Sequence, residues 1–216
     1  YSQQEPRLLT HWACLVGQLG AEEVKEAYKK SDLDFHQQTA DMAGVERRLA
    51  KTIGLGVMYG MGYNKMAREL DIDPQDAKKM LKDFRERVPF MQGMLEAVMN
   101  RANSKGIIRT LLGRKCRFDL WEPTQWGVHK ALPHNQAKVE YGEAIKRAGT
   151  YKALNRLIQG SAADQTKKAM VDVYEQLGVV PLIQVHDELD CSVKDEKQAK
   201  EIQRVMETCV ELEVPS

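Results

Sequence analysis

The chain has few cysteines: four in 216 residues (Cys14, Cys116, Cys191 and Cys209), widely scattered and without a Cys-x-x-Cys pair. That scarcity argues against a disulfide framework or a zinc site and fits reduced thiols in a cytoplasmic setting. Long apolar runs are missing too. With 43% hydrophobic residues, no stretch approaches the roughly 18 needed to cross a bilayer, so no membrane partner is expected. A basic-apolar-small leader is absent and the chain opens on Tyr1 rather than Met, which reads as a processed or partial chain. An excess of one charge is also lacking: 32 Lys and Arg stand against 31 Asp and Glu. Net charge therefore does not point to nucleic acid. No internal repeat or low-complexity stretch is visible, and the length allows one good core or two small ones.

What is present is uneven charge. Residues 101–117 hold six Lys or Arg and no acid, and residues 130–156 add six more against two glutamates. Such clusters can neutralise phosphates, or can be solvated faces. Residues 1–30 read as a short extended entry followed by helix, and apolar spacing predicts further helices through residues 45–70, 74–88, 91–105, 136–148, 151–177 and near 199–210. Asp73-Pro74-Gln75-Asp76 reads as an N-cap, a proline at the first helical position and an acid three residues after the cap. Residues 107–118 suggest a small hairpin, and Val179–Val185 with Glu188–Val193 suggest strands around a His186-Asp187 turn. The expectation is an α+β fold, mostly helical with short antiparallel elements, and with a further strand expected after Val214.

Arg47, Lys51, Leu55 and Tyr59 are spaced four apart and share one helix face. Two cations, an apolar platform and an aromatic in that order match the layout of a nucleoside triphosphate. Gly54, Gly56, Gly60 and Gly62 weaken a helix by about 1 kcal/mol each, which suggests a close approach or a bend. Gly54-Leu-Gly56 superficially resembles a dinucleotide fingerprint, but that motif needs a strand just upstream, and residues 45–53 are helical and charged. An ordinary solvated helix face stays open as the alternative.

The second constellation is Leu182-Ile-Gln-Val-His186-Asp187-Glu188-Leu189. Two carboxylates at the apex of an apolar hairpin make a half-site for a hard cation such as magnesium. Two-metal phosphoryl transfer would need a further carboxylate from elsewhere. Asp and His are also common turn residues, and that reading stays open for the tetrapeptide alone.

Together these residues resemble DNA polymerase family A (polymerase I type). Tyr1-Ser-Gln-Gln-Glu5-Pro-Arg7 is similar to the family's first motif, usually written Asp-Tyr-Ser-Gln-x-Glu-x-Arg. Arg47-x3-Lys51-x7-Tyr59-Gly60 resembles the second, and Val185-His186-Asp187-Glu188 the third. Asp34-Phe-His36, Thr110-Leu-Leu-Gly-Arg114 and Asn155-x3-Gln159-Gly160-x-Ala-Ala-Asp164 follow in the family's order. The resemblance spans essentially the whole chain. It implies a palm segment over residues 1–20, helical fingers over 21–105 with the nucleotide-binding helix at 45–70, and a hairpin plus the remaining palm over 106–216.

The resemblance also implies roles. Asp187 would bind metal, with Glu188 in support, and the backbone carbonyl of Tyr1 would be a further ligand. Lys51 would meet the phosphates and protonate the leaving pyrophosphate, while Arg47 and His36 steady the outer phosphates. Gln3, Glu5, Leu55 and Tyr59 would line the nucleotide site, Glu5 and Tyr59 together excluding a 2′-hydroxyl. Arg7, Asn155, Gln159 and His186 would contact primer–template DNA. Two magnesium ions are implied, with manganese as a substitute, and deoxynucleoside triphosphates (dNTPs) as substrates.

Three departures stand out. The first motif's aspartate would immediately precede Tyr1, so an upstream segment carrying it and the thumb is an expected partner. Leu55 stands where an aromatic is usual, similar to some phage enzymes, which points to the cytoplasm of a bacterial host. Tyr151-Lys152 occupies the place of an arginine, so Lys152 would carry that DNA contact. The alternative reading is a catalytically incomplete fragment that binds nucleotide or nucleic acid. A related RNA polymerase is disfavoured by Glu5 with Tyr59.

Overall fold

Helices carry most of the chain, and polar side chains rather than long sheets set how they cross. The structure, a computed structural model, describes residues 1–30, 33–125, 127 and 129–215. The first seven helices are α1 (Gln4–Leu15), α2 (Ala21–Lys30), α3 (Phe35–Ala43), α4 (Arg47–Met58), α5 (Tyr63–Leu70), α6 (Pro74–Arg87) and α7 (Pro89–Lys105). A hairpin of β1 (Ile107–Arg109) and β2 (Lys115–Arg117) follows. Next come β3 (Leu120–Pro123), β4 (Leu132–Pro133), α8 (His134–Tyr141) and β5 (Ile145–Arg147), with the three strands ordered β4-β3-β5. A 3-10 turn (Thr150–Lys152) leads into the 25-residue α9 (Ala153–Leu177). The chain then forms the β6 (Ile183–Val185) and β7 (Glu188–Asp190) hairpin and α10 (Glu196–Thr208). All strand pairs are antiparallel, so the α+β expectation is met.

Several local readings hold for physical reasons. Asp73 caps α6 by accepting from the Gln75 amide at 2.7 Å, with Pro74 at the first helical position. Gly178, at a φ of 65°, ends α9 as predicted. Other readings need correction. The pattern over residues 45–70 is two helices, because Gly60 takes a φ of +69° and breaks it. The predicted helix over 136–148 stops at Tyr141, and residues 145–147 form β5 instead. There the Arg147 guanidinium lies 4.7 Å above the Trp121 ring and donates to the carbonyls of Phe118 (2.8 Å) and Asn103 (3.1 Å). The last two strands are three residues each, shorter than their apolar runs suggest.

One large core joins α1 through α7 to the β1–β2 hairpin and the first half of α9, with Leu8, Leu9, Ile53, Met58, Phe90, Leu154 and Ile158 among its fully buried side chains. Each contributes about 1.5–3 kcal/mol by burial. This core runs across the expected boundaries at residues 20 and 105. A smaller cluster of Val173, Val179, Ile202 and Val205 sits beneath the far end of α9. At 1.5 Å per residue α9 is about 37 Å long, and it spans both clusters.

Between its two apolar ends α9 is polar and buried. Ser161 accepts from the Trp12 indole (3.3 Å) and the Leu111 amide (3.1 Å). Asp164 accepts from the Leu112 amide (3.2 Å) and from Arg114 (2.9 Å), while Arg114 also reaches the Gly160 carbonyl at 2.8 Å. Gln4 of α1 donates to Gln165 at 3.1 Å and to Thr166 at 3.3 Å. These bonds hold α1 and the β1–β2 turn against one side of α9.

The glycines differ in what they do. A Cβ on Gly60 would stand 2.7 Å from the Tyr151 carbonyl oxygen in a backbone conformation that disfavours side chains. On Gly54 it would make ordinary contacts at 3.6 Å to Met91 and 3.9 Å to Phe84. Gly60→Ala should therefore destabilise the fold by about 1–3 kcal/mol, whereas Gly54→Ala should stabilise it by about 0.5–1 kcal/mol. Urea unfolding of the two variants checks the opposite signs.

Candidate active site

A cleft of about 480 Å³ lies where α1, α3, α4, α9 and the β6–β7 turn converge. Gln3, Glu5, His36, Lys51, Leu55, Gln159, His186 and Asp187 all line it. These eight predicted site residues come from segments up to 184 positions apart, and the fold brings them to one place.

Their placement has identifiable causes. Gln3 adopts a left-handed φ of 54° at the start of α1, and its amide bridges to the start of α3. Its Nε2 donates to the Leu33 carbonyl (2.7 Å) and its Oε1 accepts from the Phe35 amide (2.9 Å). Asp34 then caps α3 through Oδ1 and accepts from the Arg47 guanidinium through Oδ2 at 2.7 Å. That ion pair ties α3 to the start of α4. Arg47 guides the Asp34 carboxyl below its usual range, first by its hydrogen bond, and the cap adds to the effect.

At the other end of α4, the Tyr59 hydroxyl donates to Glu5 at 2.8 Å, and Gln159 is a further partner of the same hydroxyl. Burial, then the Glu5 carboxylate, push the Tyr59 hydroxyl up to about 12, so it stays protonated as a donor. His36 is half-buried beside Lys51. Desolvation and the Lys51 charge hold its imidazole below the ordinary range, and it is neutral at pH 7.

The remaining predicted residues lie elsewhere. Arg47 stands outside the cleft lining, held by Asp34. Tyr59 lines a second cleft of about 410 Å³, shared with Leu55, Gly60, Gly62 and Tyr151. Lys152 is exposed with its ammonium 5.4 Å above the Tyr151 ring. Asn155 and Glu188 do not line the main cleft. Arg7 is buried, donating to the carbonyls of Ser2 (2.9 Å) and Pro215 (2.7 Å) and lying 4.7 Å from the centre of the Tyr28 ring. The backbone nitrogen of Tyr1 donates to the Asp187 carbonyl at 2.9 Å, which fixes the start of the chain beside the acidic turn. His186 holds the turn with a φ of 52°.

Some contributors were not singled out from sequence. Thr166, Lys167 and Met170 line the cleft. Successive steps of three and four from Gln159 through Ala163 reach each of them, and that spacing is the signal that could have revealed them. The basic clusters divide. Arg114 and Arg147 serve the fold through the bonds above, and Lys138 and Lys146 pair with Glu143 and Glu122. Arg101, Lys105, Lys115, Arg117 and Lys130 are exposed.

The family described as DNA polymerase family A matches residues 1–216. The chain belongs to DNA polymerase family A. Among its family A relatives, a DNA-directed DNA polymerase of Pseudomonas phage M6 is 36% identical over 260 residues, covering 100% of this chain and 36% of that protein. The thermostable DNA polymerase I of Thermus aquaticus is 30% identical over 230 residues, covering 100% and 25%. The POL domain of Pol1 from M. smegmatis, solved in complex with DNA primer-template and dNTP, superposes with a TM-score of 0.75 at 28% identity, covering 100% of this chain and 37% of that one. The chain thus spans 25–37% of the length of these family A proteins.

The α3–α4 tie has a pH signature. A carboxyl with a lowered folded pKa contributes stability above its unfolded value, near pH 4, and loses it as pH falls through the folded value. The Asp34 resonance should titrate below the ordinary aspartate range, and Arg47→Met should return it toward that range. A carboxyl-detected NMR titration of both proteins measures this.

Proposed function

We propose that this chain forms the nucleotide-binding and part of the catalytic region of a DNA-templated DNA polymerase. In this reading residues 1–20 and 106–216 form the palm and 21–105 the fingers. The observation that carries it is the convergence of Lys51, Leu55, His36, Glu5 and Asp187 on one cleft. The reaction would join a dNTP to a primer 3′-hydroxyl and release pyrophosphate.

The residues would divide the work by position. Lys51 and neutral His36 both line the cleft, with the Lys51 charge acting on the imidazole, and together they would meet the triphosphate. Lys51 has an ammonium proton to give to the leaving pyrophosphate. Arg47 would exchange its Asp34 partner for an outer phosphate as α4 moves over the nucleotide. Leu55 offers an apolar surface to the sugar. The Tyr59–Glu5 bond would stand as a wall against a 2′-hydroxyl, so that the site would disfavour ribonucleotides. Gln159 and His186, with Asn155 and Lys152 further along, would lie along the primer–template. Arg7 is better suited to holding the palm together, since its guanidinium is buried among backbone carbonyls.

The donor set fits half of a magnesium site. Asp187 faces the cleft with Glu188 next in sequence, and hard cations favour such oxygen ligands. Among the described residues no group of three or more metal-ligating side chains is assembled. Two divalent cations, when bound, would supply charge for the triphosphate and lower the pKa of the primer hydroxyl. The missing carboxylate is expected on the residue before Tyr1, whose nitrogen lies 2.9 Å from the Asp187 carbonyl. The β6–β7 hairpin supports a requirement for upstream chain. Leu182, Ile183 and Val185 are 68%, 57% and 49% exposed, an apolar surface suited to a further strand.

Primer extension by the 216-residue chain should be negligible and should appear when the upstream segment is restored. In the restored protein Asp187→Ala should cost at least about 1,000-fold in rate, near 4 kcal/mol, with DNA affinity kept. Lys51→Ala should slow single-turnover incorporation by about 100-fold or more with little change in DNA affinity. Equal losses in rate and DNA affinity would contradict the role of Lys51. A second check is the His36 imidazole, which should titrate below its ordinary value in the free protein and rise when dNTP binds. An unchanged NMR titration would remove His36 from the phosphate site.

A further inference from the structure

The acidic turn and the start of the chain are lightly held. Tyr1 and Ser2 precede α1 and belong to no helix or strand. The β6–β7 hairpin has strands of three residues each, and all of β6 is exposed. None of these residues belongs to either hydrophobic cluster. Among the described residues, one hydrogen bond reaches the hairpin from another part of the chain, from the Tyr1 nitrogen to the Asp187 carbonyl at 2.9 Å. That nitrogen keeps a hydrogen to donate when a residue precedes it. The position of Tyr1 is therefore tied to that of Asp187.

Tyr1 is fixed in turn through its side chain. The hydroxyl donates to the Met206 carbonyl at 2.8 Å and stands 3.3 Å from the Cys209 sulfur. Met206 lies in the last turn of α10, where the final carbonyls of a helix have no partner within it. The hydroxyl thus fills a vacancy that the helix end creates. Ile202 and Val205 seat α10 on the far end of α9, buried with Val173. The connection runs from α9 through α10 and the Tyr1 ring to the Asp187 turn, and the Tyr1 side chain lines neither of the two clefts.

We infer that the Tyr1 side chain is a positioning residue for the divalent-cation site, with α10 as its anchor. By fixing Tyr1 it sets the spacing between Asp187 and the carboxylate expected on the residue before Tyr1. Magnesium demands near-ideal geometry, with oxygen ligands at about 2.0–2.1 Å. A small displacement of Tyr1 would move one carboxylate relative to the other and weaken the site. The inference rests on the polymerase reading above, which supplies the second carboxylate.

The test uses the protein with its upstream segment, bound to a dideoxy-terminated primer–template and the matching dNTP. Electron paramagnetic resonance measures manganese binding, and thermal unfolding measures stability. Tyr1→Phe removes one oxygen and keeps the ring. It should weaken manganese binding about fivefold and leave primer–template affinity unchanged. With an extendable primer, the magnesium needed for half-maximal incorporation should rise by a similar factor. Cys209→Ala leaves the Met206 carbonyl in place and should bind manganese as the wild type does. Circular dichroism confirms that both variants fold. A Tyr1→Phe protein with a lower melting temperature but unchanged manganese affinity would make the hydroxyl a structural tie alone and overturn the inference. An equal loss of manganese affinity in Cys209→Ala would overturn it too, since packing at α10 would then carry the effect. Asp187→Ala tests the reading beneath: manganese bound as tightly without that carboxylate would sink the polymerase assignment as well.

Discussion

The buried polar middle of α9 is the constraint on which the rest of the structure depends. An all-apolar helix of this length could slide or rotate against its neighbours with little penalty. Ser161, Asp164, Gln165 and Thr166 instead hold specific partners on α1 and on the β1–β2 turn. Each lost bond would leave a buried polar group unsatisfied, at a cost of about 1–3 kcal/mol. The register of α1 on α9 is therefore fixed, and Gln3 and Glu5 come to the cleft at a set height beside Gln159. Asp164 and Arg114 do the same for the hairpin that follows α7.

From that anchor the cleft is built by polar ties at both ends of α4. Gln3 and Asp34 hold its start through α3 and Arg47, and Glu5 holds its end through Tyr59. Both ties are exposed ion pairs or hydrogen bonds of modest strength, about 1 kcal/mol or less each. The core beneath α4 is apolar and the ties above it are weak. A helix so mounted can exchange partners without unfolding, which suits one that closes over a substrate. The open glycine segment after Tyr59 gives it a natural end.

Much of this was legible in the sequence, and the reasons are local. The four-residue stripe of Arg47, Lys51, Leu55 and Tyr59, the Asp73-Pro74 start and the Gly178 stop are all written in side-chain periodicity and cap chemistry. The ordered motifs marked Thr110–Arg114 and Gln159–Asp164 as landmarks, but only the fold shows that they are partners, with Arg114 bonded to Asp164. The β4-β3-β5 sheet was not legible. Its strands are two to four residues long, too short for a period, and β5 is held by an arginine stacked on Trp121 that reads from sequence as a surface charge. Arg7 shows the same limit. Its motif suggests a DNA contact, and only the fold shows its guanidinium buried and donating to two backbone carbonyls.

The central claim is that one cleft, framed by α1, α3, α4, α9 and the Asp187 turn, receives the incoming nucleotide. The most direct measurement is a structure of the protein with its upstream segment, primer–template DNA and a non-hydrolysable dNTP. The account predicts the triphosphate against Lys51 and His36, the sugar against Leu55 and Glu5, and the α-phosphate facing Asp187. A nucleotide ordered elsewhere, or with its phosphates directed away from Lys51, would contradict it.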